Sequence, residues 1–374
     1  SIVLATLIED PQIHLTLTAA GILNSVTLVA AAAGGIAFGV IADRLGRKRA
    51  LMSAVLIYSV FTAACGFAQS AVQLAVFRIL LGLGMGGEWA SGAALVSEAF
   101  PARHRGKALA FVQSAWAIGY GLAALVNLLV LPIWGWRGVF FVGVVPALFT
   151  VWIQQRVEEP EIWKTTATSG PRGRLSAIFA APIGGVTIAI TAMNACTLFA
   201  WWGLNSWVPG YLRLGADKGG IGLSSSTMSW FVIVMQAGMW LGYVCFGFIA
   251  DAIGRKRAYV SFIAIAAVLL PIYGYTRVPG ALLILGPAVA FFGTGYYSGF
   301  GALTAELYPT AVRATAQGFC YNTGRLASAL APYAVGSLAT TRGFGAAFLA
   351  TGAVFVLAMI AWIWIPDTSN RELT

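Results

Sequence analysis

The sequence predicts an all-α membrane protein built as two six-helix bundles. Three observations carry that prediction. The 374-residue chain is 59% hydrophobic and only 10% charged, where a soluble domain carries about 25% charged residues. Its apolar runs reach the length a helix needs to cross a bilayer, about 20 residues, rather than the shorter alternating runs of barrel strands. Whole stretches also recur at one fixed offset, the mark of an internal duplication. So few charges cannot coat a water-facing surface of this size, which excludes a soluble enzyme, a secreted disulfide scaffold and a disordered chain.

Spanning helices are expected at 17–41, 50–68, 72–97, 106–130, 137–155, 184–212, 224–249, 258–276, 281–303, 314–340 and 344–365. GVIADRLGRKRA begins at Gly39 and GFIADAIGRKRA at Gly247, an offset of 247 − 39 = 208 residues. Glu98 and Arg105 recur as Glu306 and Arg313, and Glu159 as Asp367, each at the same 208-residue spacing. Four anchors at one offset define a parallel repeat about an axis along the membrane normal. The span at 184–212 then implies an earlier partner at about −24 to 4, of which SIVLATL reads as the tail. The expectation is therefore six plus six helices with the first largely absent from this numbering. The domains are an N-terminal bundle at 1–156, a linker at 157–183, a C-terminal bundle at 184–366 and a tail at 367–374.

The net charge of +10 does not signal a nucleic-acid partner, because the basic residues fall in short loops between apolar runs. One set of loops holds Arg44, Arg47, Lys48, Arg49, Arg103, Arg105, Lys107, Arg156, Lys164, Arg172, Arg174, Arg255, Lys256, Arg257, Arg313 and Arg371. The other holds Arg137, Arg213, Lys218, Arg277 and Arg342. Sixteen against five places the linker, both repeated loops and the C-terminus in the cytoplasm of a multi-pass inner or plasma membrane protein. Cys65, Cys196, Cys245 and Cys320 lie in apolar runs without ligand spacing, and His14 and His104 lie near loops. No cofactor or metal is expected.

The repeated loop motif, together with RILLGLGMGGEW, resembles the major facilitator superfamily over essentially the whole chain. That resemblance implies the major facilitator fold, a central cavity and alternating access, usually as a monomer. It also fits the residues read alone. Gly39 and Gly247 let helices approach closely. Asp43 and Asp251 stand where a carboxylate can cap a helix N-terminus of the other half. Arg47, Glu98, Arg105, Arg255, Glu306 and Arg313 lie at the same level and can form an ion-pair latch with them.

Shared residues give the machine, so unshared ones should give the substrate site. Ionisable residues in mid-span are costly and functional by default. Arg78, Glu88 and Arg325 are the ones here. At 1.5 Å per residue, Glu88 lies about 15 Å and Arg325 about 18 Å from the linker-side end of their helices, near the midplane. Their repeat mates are Tyr296 and Ala117, so neither charge is duplicated. A guanidinium binds carboxylate in bidentate fashion, which makes Arg325 the expected substrate anchor; a structural pair with Glu88 is the alternative. Glu88 is the expected proton carrier. Arg78, in R-x-x-x-G, matches the family's fourth-helix arginine motif, which ties it to coupling. Asn322, Tyr321, Gln113, Tyr120, Trp201, Asn205, Gln236, Tyr296 and Tyr297 complete the candidate substrate site. Trp134, Trp136, Trp362 and Trp364 read as interface-belt residues.

GMGGEWASGAALVSEAFPARHRGKALAFVQSAWAIGYGLAA is similar to the sialate and lactate proton-symporter group. The paired glutamines of sugar porters are replaced by NACTLFAWWGLNSW. The expected function is proton-coupled uptake of a small organic anion, such as a monocarboxylate, a sialate-like acid or an aromatic acid. Partners are the substrate and the lipid bilayer. A sugar symporter, an efflux antiporter and a non-transporting membrane sensor are the alternatives; no nucleophile–base pair suggests an enzyme.

Overall fold

The computed structural model describes residue 13 and residues 17–166, 172–368 and 372–373. The opening SIVLATL stretch, His14 and Arg371 lie outside them. Among the described residues there are helices, turns and no strands. A chain surrounded by lipid must satisfy its backbone within each segment, and helices do this. Nine described segments are long and apolar enough to cross a membrane.

In the first half, α1 (Leu17–Leu45) and α2 (Arg47–Gly66) both lie on α3 (Ala71–Ala99). They are followed by α4 (Ala102–Val142) and α5 (Val145–Arg156), then by the short linker helix α6 (Glu161–Thr166). The second half holds α7 (Gly184–Arg213), α8 (Ser225–Ile253), α9 (Arg255–Tyr275), α10 (Pro279–Thr294), α11 (Phe300–Leu307), α12 (Arg313–Ser328) and α13 (Ala331–Ala361). Here α7 packs on α12 and α13, and α8 on α10. The halves meet along two seams, α1 against α12 and α4 against α8. These are equivalent under the 208-residue repeat.

Lipid tails are as apolar as leucine, so helix association here rests on close packing through small residues. A Cβ on Gly86 would collide with Ala31 O, and one on Gly34 with Leu83 O. The seams are as tight: a Cβ on Gly39 would meet Ala314 O at 2.5 Å, and one on Gly247 would meet Ala110 Cβ at 2.7 Å. The second half adds an aromatic core in which Tyr259 packs on Phe246 and Trp362, and Tyr211 on Phe344 and Phe348.

Several expected spans are subdivided. The run at 137–155 is broken between Val142 and Val145, where Pro146 opens α5 without needing an amide partner. The run at 281–303 passes through a 3₁₀ turn at Gly295–Gly299. The run at 314–340 stops at Ser328, and Pro332 opens α13, which continues past the expected break. α4 and α13 each bend sharply at one glycine, Gly135 (φ 64°) and Gly343 (φ 81°), which are themselves 208 residues apart. This left-handed conformation suits glycine and little else. It lets one helical element contain the end of one crossing and the start of the next. The belt assignment is corrected for two tryptophans: Trp136 and Trp362 are buried, while Trp134 and Trp364 are exposed. Trp134 and Trp136 flank the bend at Gly135, and Trp362 and Trp364 lie in the turn after Ala361, so only one of each pair faces outward.

Gly86→Ala should destabilise the first half by about 1–3 kcal/mol through overpacking. Thermal unfolding in detergent should show a lower midpoint. The same change at Gly119, where a Cβ meets nothing within 4 Å, should leave it unmoved.

Candidate functional site

Two levels matter: a charged closure on the linker face, and an aromatic–polar cluster at mid-depth. The closure consists of two ion-pair clusters, one at each seam. In the first, Arg47 binds Asp43 at 2.8 Å and Glu98 at 2.7 Å, and Glu98 binds Arg313 of the other half at 2.6 Å. Arg47 also donates to Thr310 O across the seam at 2.9 Å. Asp43 accepts from the amides of Ala314 and Thr315 at 3.1 and 2.8 Å and from the Thr315 hydroxyl at 2.6 Å, so it caps α12 from the opposite half. In the second cluster, Arg255 binds Asp251 at 2.6 Å and Glu306 at 3.1 Å, and Arg105 of the first half reaches Glu306 at 3.2 Å. The Thr368 hydroxyl donates to Glu306 at 2.7 Å. All eight expected latch residues therefore meet in these clusters.

The two clusters are not copies. Asp251 was expected to cap the opposite half as Asp43 does, and this is corrected. Its Oδ1 binds Arg255, and its buried Oδ2 has no hydrogen-bond partner among the described residues. The cause lies in the other half: Ala314 and Thr315 open α12, whereas their repeat mates Gly106 and Lys107 lie inside α4, which starts at Ala102, and Lys107 lacks the hydroxyl and lies over the Phe248 ring at 5.1 Å. Glu159, a repeat anchor in the sequence, has a clear role. Its carboxylate accepts from the amides of Arg47, Lys48 and Arg49 at 2.8, 3.1 and 3.4 Å and caps α2, while Asp367 accepts from Lys256 N at 3.5 Å on α9. The linker straps the same face. The Trp163 indole donates to Asp43 O at 3.1 Å, Arg172 stacks on Trp163 at 4.8 Å, and Gly173 N donates to Ala311 O of the second half at 3.0 Å.

At mid-depth, Trp89 of α3 stacks on Tyr321 of α12 with ring centroids 4.1 Å apart and planes 15° apart. The Trp89 indole donates to Gln113 Oε1 of α4 at 3.4 Å. Gln113 and Thr294 face the hydroxyl of Tyr243 on α8. Tyr296 and Tyr297 pack 4.6 Å apart near Thr197. Their hydroxyls are buried and make no hydrogen bond of good geometry among the described residues. Arg325 sits one turn beyond Tyr321, its guanidinium 5.8 Å from that ring. No described carboxylate pairs with it, so the alternative pair with Glu88 is not formed. The cluster lies on the repeat axis. Trp89 and Tyr297 are mates, as are Gln113 and Tyr321, each pair separated by 208 residues.

The other candidates are placed as follows. Asn322 points into the α1–α12 seam, donating to Gly318 O at 2.8 Å and packing against Gly35, rather than lying beside Arg325. Trp201 is buried against Gly293 of α10, and Asn205 follows one turn later on the same face of α7. Gln236 lies seven residues before Tyr243, on the same face of α8. The Tyr120 side chain lies outside the described residues. Arg78 is buried and donates to Asn24 Oδ1 of α1 at 3.1 Å. Glu88 is exposed on the surface of the described chain, with Tyr58 of α2 as its electrostatic neighbour. Trp89, Tyr243, Thr197 and Thr294 were missed. The repeat held a signal for two of them: Trp89 is the mate of a candidate, and Tyr243 is a bulky residue whose mate is Gly35.

Two helical halves that share a linker-face ion-pair closure and a mid-depth site on the repeat axis define a multi-pass membrane transporter. The chain belongs to the Major Facilitator Superfamily, whose model matches residues 1–220 and 214–374. It is similar to a putative metabolite transport protein of Haemophilus influenzae, at 35% identity over 97% of this chain and 90% of that protein. It is also similar to the cis,cis-muconate transport protein of Acinetobacter baylyi, at 31% identity over 95% of this chain and 87% of that protein. Among solved structures, the proton:xylose symporter XylE bound to 6-bromo-6-deoxy-D-glucose matches with a TM-score of 0.77. That match has 19% identity and covers 100% of this chain and 92% of that one, a likeness of fold.

The asymmetry of the closure is testable. Asp43→Asn weakens a carboxylate that accepts three bonds across the seam, each worth about 1.5–3 kcal/mol when charged, whereas Asp251→Asn touches one local pair. Maleimide labelling of a cysteine placed at Ala311 should rise markedly in the first variant and little in the second.

Proposed function

We propose that the protein takes up a small organic anion together with protons by alternating access. The linker, the repeated loops and the C-terminus lie on the cytoplasmic side of the cell's inner or plasma membrane. The observation that carries this reading is Arg325: a mid-span guanidinium beside an aromatic cluster on the repeat axis, with no described carboxylate to neutralise it. A half-buried mid-span cation favours an anionic ligand, and the planar fork fits a carboxylate. The relative named for cis,cis-muconate supports the same class.

In the proposed cycle, the carrier faces outward while both ion-pair clusters hold the cytoplasmic face shut. Glu88, the mid-span carboxyl, takes a proton, and Arg325 binds the substrate carboxylate. The halves then rock about the mid-depth cluster and the Glu98–Arg313 and Arg105–Glu306 bridges part. Each bridge exchanges its protein partners for water as the face opens, so closure and opening differ little in free energy. Substrate leaves, Glu88 loses its proton to the less acidic interior, and the bridges reform. The proton is the coupling ion and no other cofactor takes part.

Proteoliposome uptake of radiolabelled lactate, sialate, benzoate and xylose, with and without an inward proton gradient, tests the reading. Gradient-driven acid accumulation is expected. Arg325→Ala should lower it about 10–100-fold, the worth of one charge-assisted contact of about 1.5–3 kcal/mol. Glu88→Gln should retain acid exchange and lose accumulation against a gradient. Uptake of xylose alone, indifferent to Arg325, would overturn the proposal in favour of a sugar symporter.

A further inference from the structure

Arg325 accounts for a carboxylate but not for the rest of the substrate. Next to it lies an arrangement that closing the seam does not require. Trp89 and Tyr321 present parallel faces to one another from opposite halves, at 4.1 Å and 15°. Nearer the linker face the α1–α12 seam is closed by backbone approach, Gly318 against Gly35 O and Gly39 against Ala314 O. Beside that seam, Trp89 reaches Tyr321 from α3, so two large rings from opposite halves meet face to face.

Both rings are anchored at one edge. The Trp89 indole is directed at Gln113, and Gln113 in turn faces Tyr243 of the other half. On the other side, Asn194 of α7 donates to the Cys320 and Tyr321 carbonyls at 3.1 Å each, fixing the turn of α12 that carries Tyr321. Phe300 closes the slot laterally, with its ring 5.8 Å from both Trp89 and Tyr321. The Arg325 guanidinium stands 5.8 Å from the Tyr321 ring centre, one helical turn along the same face. Trp89 lies nine residues before Glu98 and Tyr321 eight after Arg313. At 1.5 Å per residue both are about 12–14 Å from the linker-face bridges. The pair thus lies above both the bridges and the Gly35–Gly318 approach, and it parts when the halves rock open to this depth.

We infer that Trp89 and Tyr321 form a slot for a flat ring or conjugated chain, so that the transported acid is an aromatic or conjugated carboxylate rather than a saturated one. This inference rests on the organic-anion reading and narrows it. As the halves separate at this level, each ring loses a stacked partner. A planar substrate replaces that partner on both faces, with its carboxylate directed along α12 to Arg325. A puckered saturated ring of the same charge reaches Arg325 but cannot lie flat between the rings, and it forfeits the stacking. Trp89 and Tyr321 are then specificity-determining residues.

The test compares binding of radiolabelled benzoate and cyclohexanecarboxylate, two acids of similar size and equal charge, to the purified protein in detergent. Measuring binding avoids the passive permeation of such acids through lipid. Benzoate should bind about three- to tenfold more tightly. Trp89→Leu should bring that ratio to about one by weakening benzoate alone, and Trp89→Phe should preserve it. The unchanged cyclohexanecarboxylate affinity shows that the variant is folded. If Trp89→Leu does not fold, the wild-type ratio and Trp89→Phe still decide the matter. Equal binding of the two acids by wild type, sensitive to Arg325→Ala, would overturn the slot and leave the organic-anion reading standing. So would a Trp89→Leu protein that weakens both acids alike. Failure of wild type to bind either acid at millimolar concentration would overturn both.

Discussion

Charge buried at the junction of the halves is the constraint on which the rest of the structure depends. Asp43, Arg47 and Arg313 are fully buried, and Arg105, Arg255 and Glu306 nearly so. Each has been stripped of water, which is tolerable only when every charge has a partner in hydrogen-bond geometry. Those partners come from both repeats. The positions of α1, α4, α8 and α12 at the linker face are therefore tied to one another, and neither half can complete its own set. Breaking one bridge by removing a single partner leaves a buried unpaired charge, whereas separating the halves hydrates all of them at once. The network is therefore sensitive to the loss of any single partner.

The seams above the bridges follow from the same requirement. For guanidinium and carboxylate to meet at 2.6–3.2 Å across the interface, the backbones must come nearly into contact. Gly39 and Gly247 make that possible where the Cβ of any other residue would collide. Above the seam, Trp89 of α3 stacks on Tyr321, and in our proposal this is where the substrate meets the interface. The charged closure and the aromatic stack are consecutive levels of one interface between the halves.

The repeat is close in backbone and unequal in chemistry. Glycine bends at Gly135 and Gly343 and helix caps at Glu159 and Asp367 are duplicated, because they serve the crossing geometry common to both halves. α12 starts at Arg313 but α4 at Ala102, and Thr315 has no hydroxyl-bearing mate, so Asp43 caps the other half and Asp251 does not. Trp89 and Gln113 face Tyr321 and Tyr243 with different hydrogen-bonding groups. A site on a pseudo-two-fold axis built from unlike mates can hold a substrate that lacks that symmetry.

Much of this was legible in the sequence. Composition and run length determined a helical membrane protein, since lipid leaves no other way to satisfy the backbone. The 208-residue offset determined two parallel halves and named all eight residues of the charged closure, because ion pairs between repeats demand residues of fixed type at fixed positions. The mid-span charges were equally plain, being costly wherever they occur. Tertiary structure alone decided the rest. It turned Asn322 into the seam and away from Arg325, placed Glu88 beside Tyr58, and buried Trp136 and Trp362 while exposing their neighbours. It also brought Trp89 onto Tyr321. Apolar and aromatic side chains carry no partner label in the sequence, and which ring meets which depends on the rotation and depth of whole helices, fixed by packing over many residues at once.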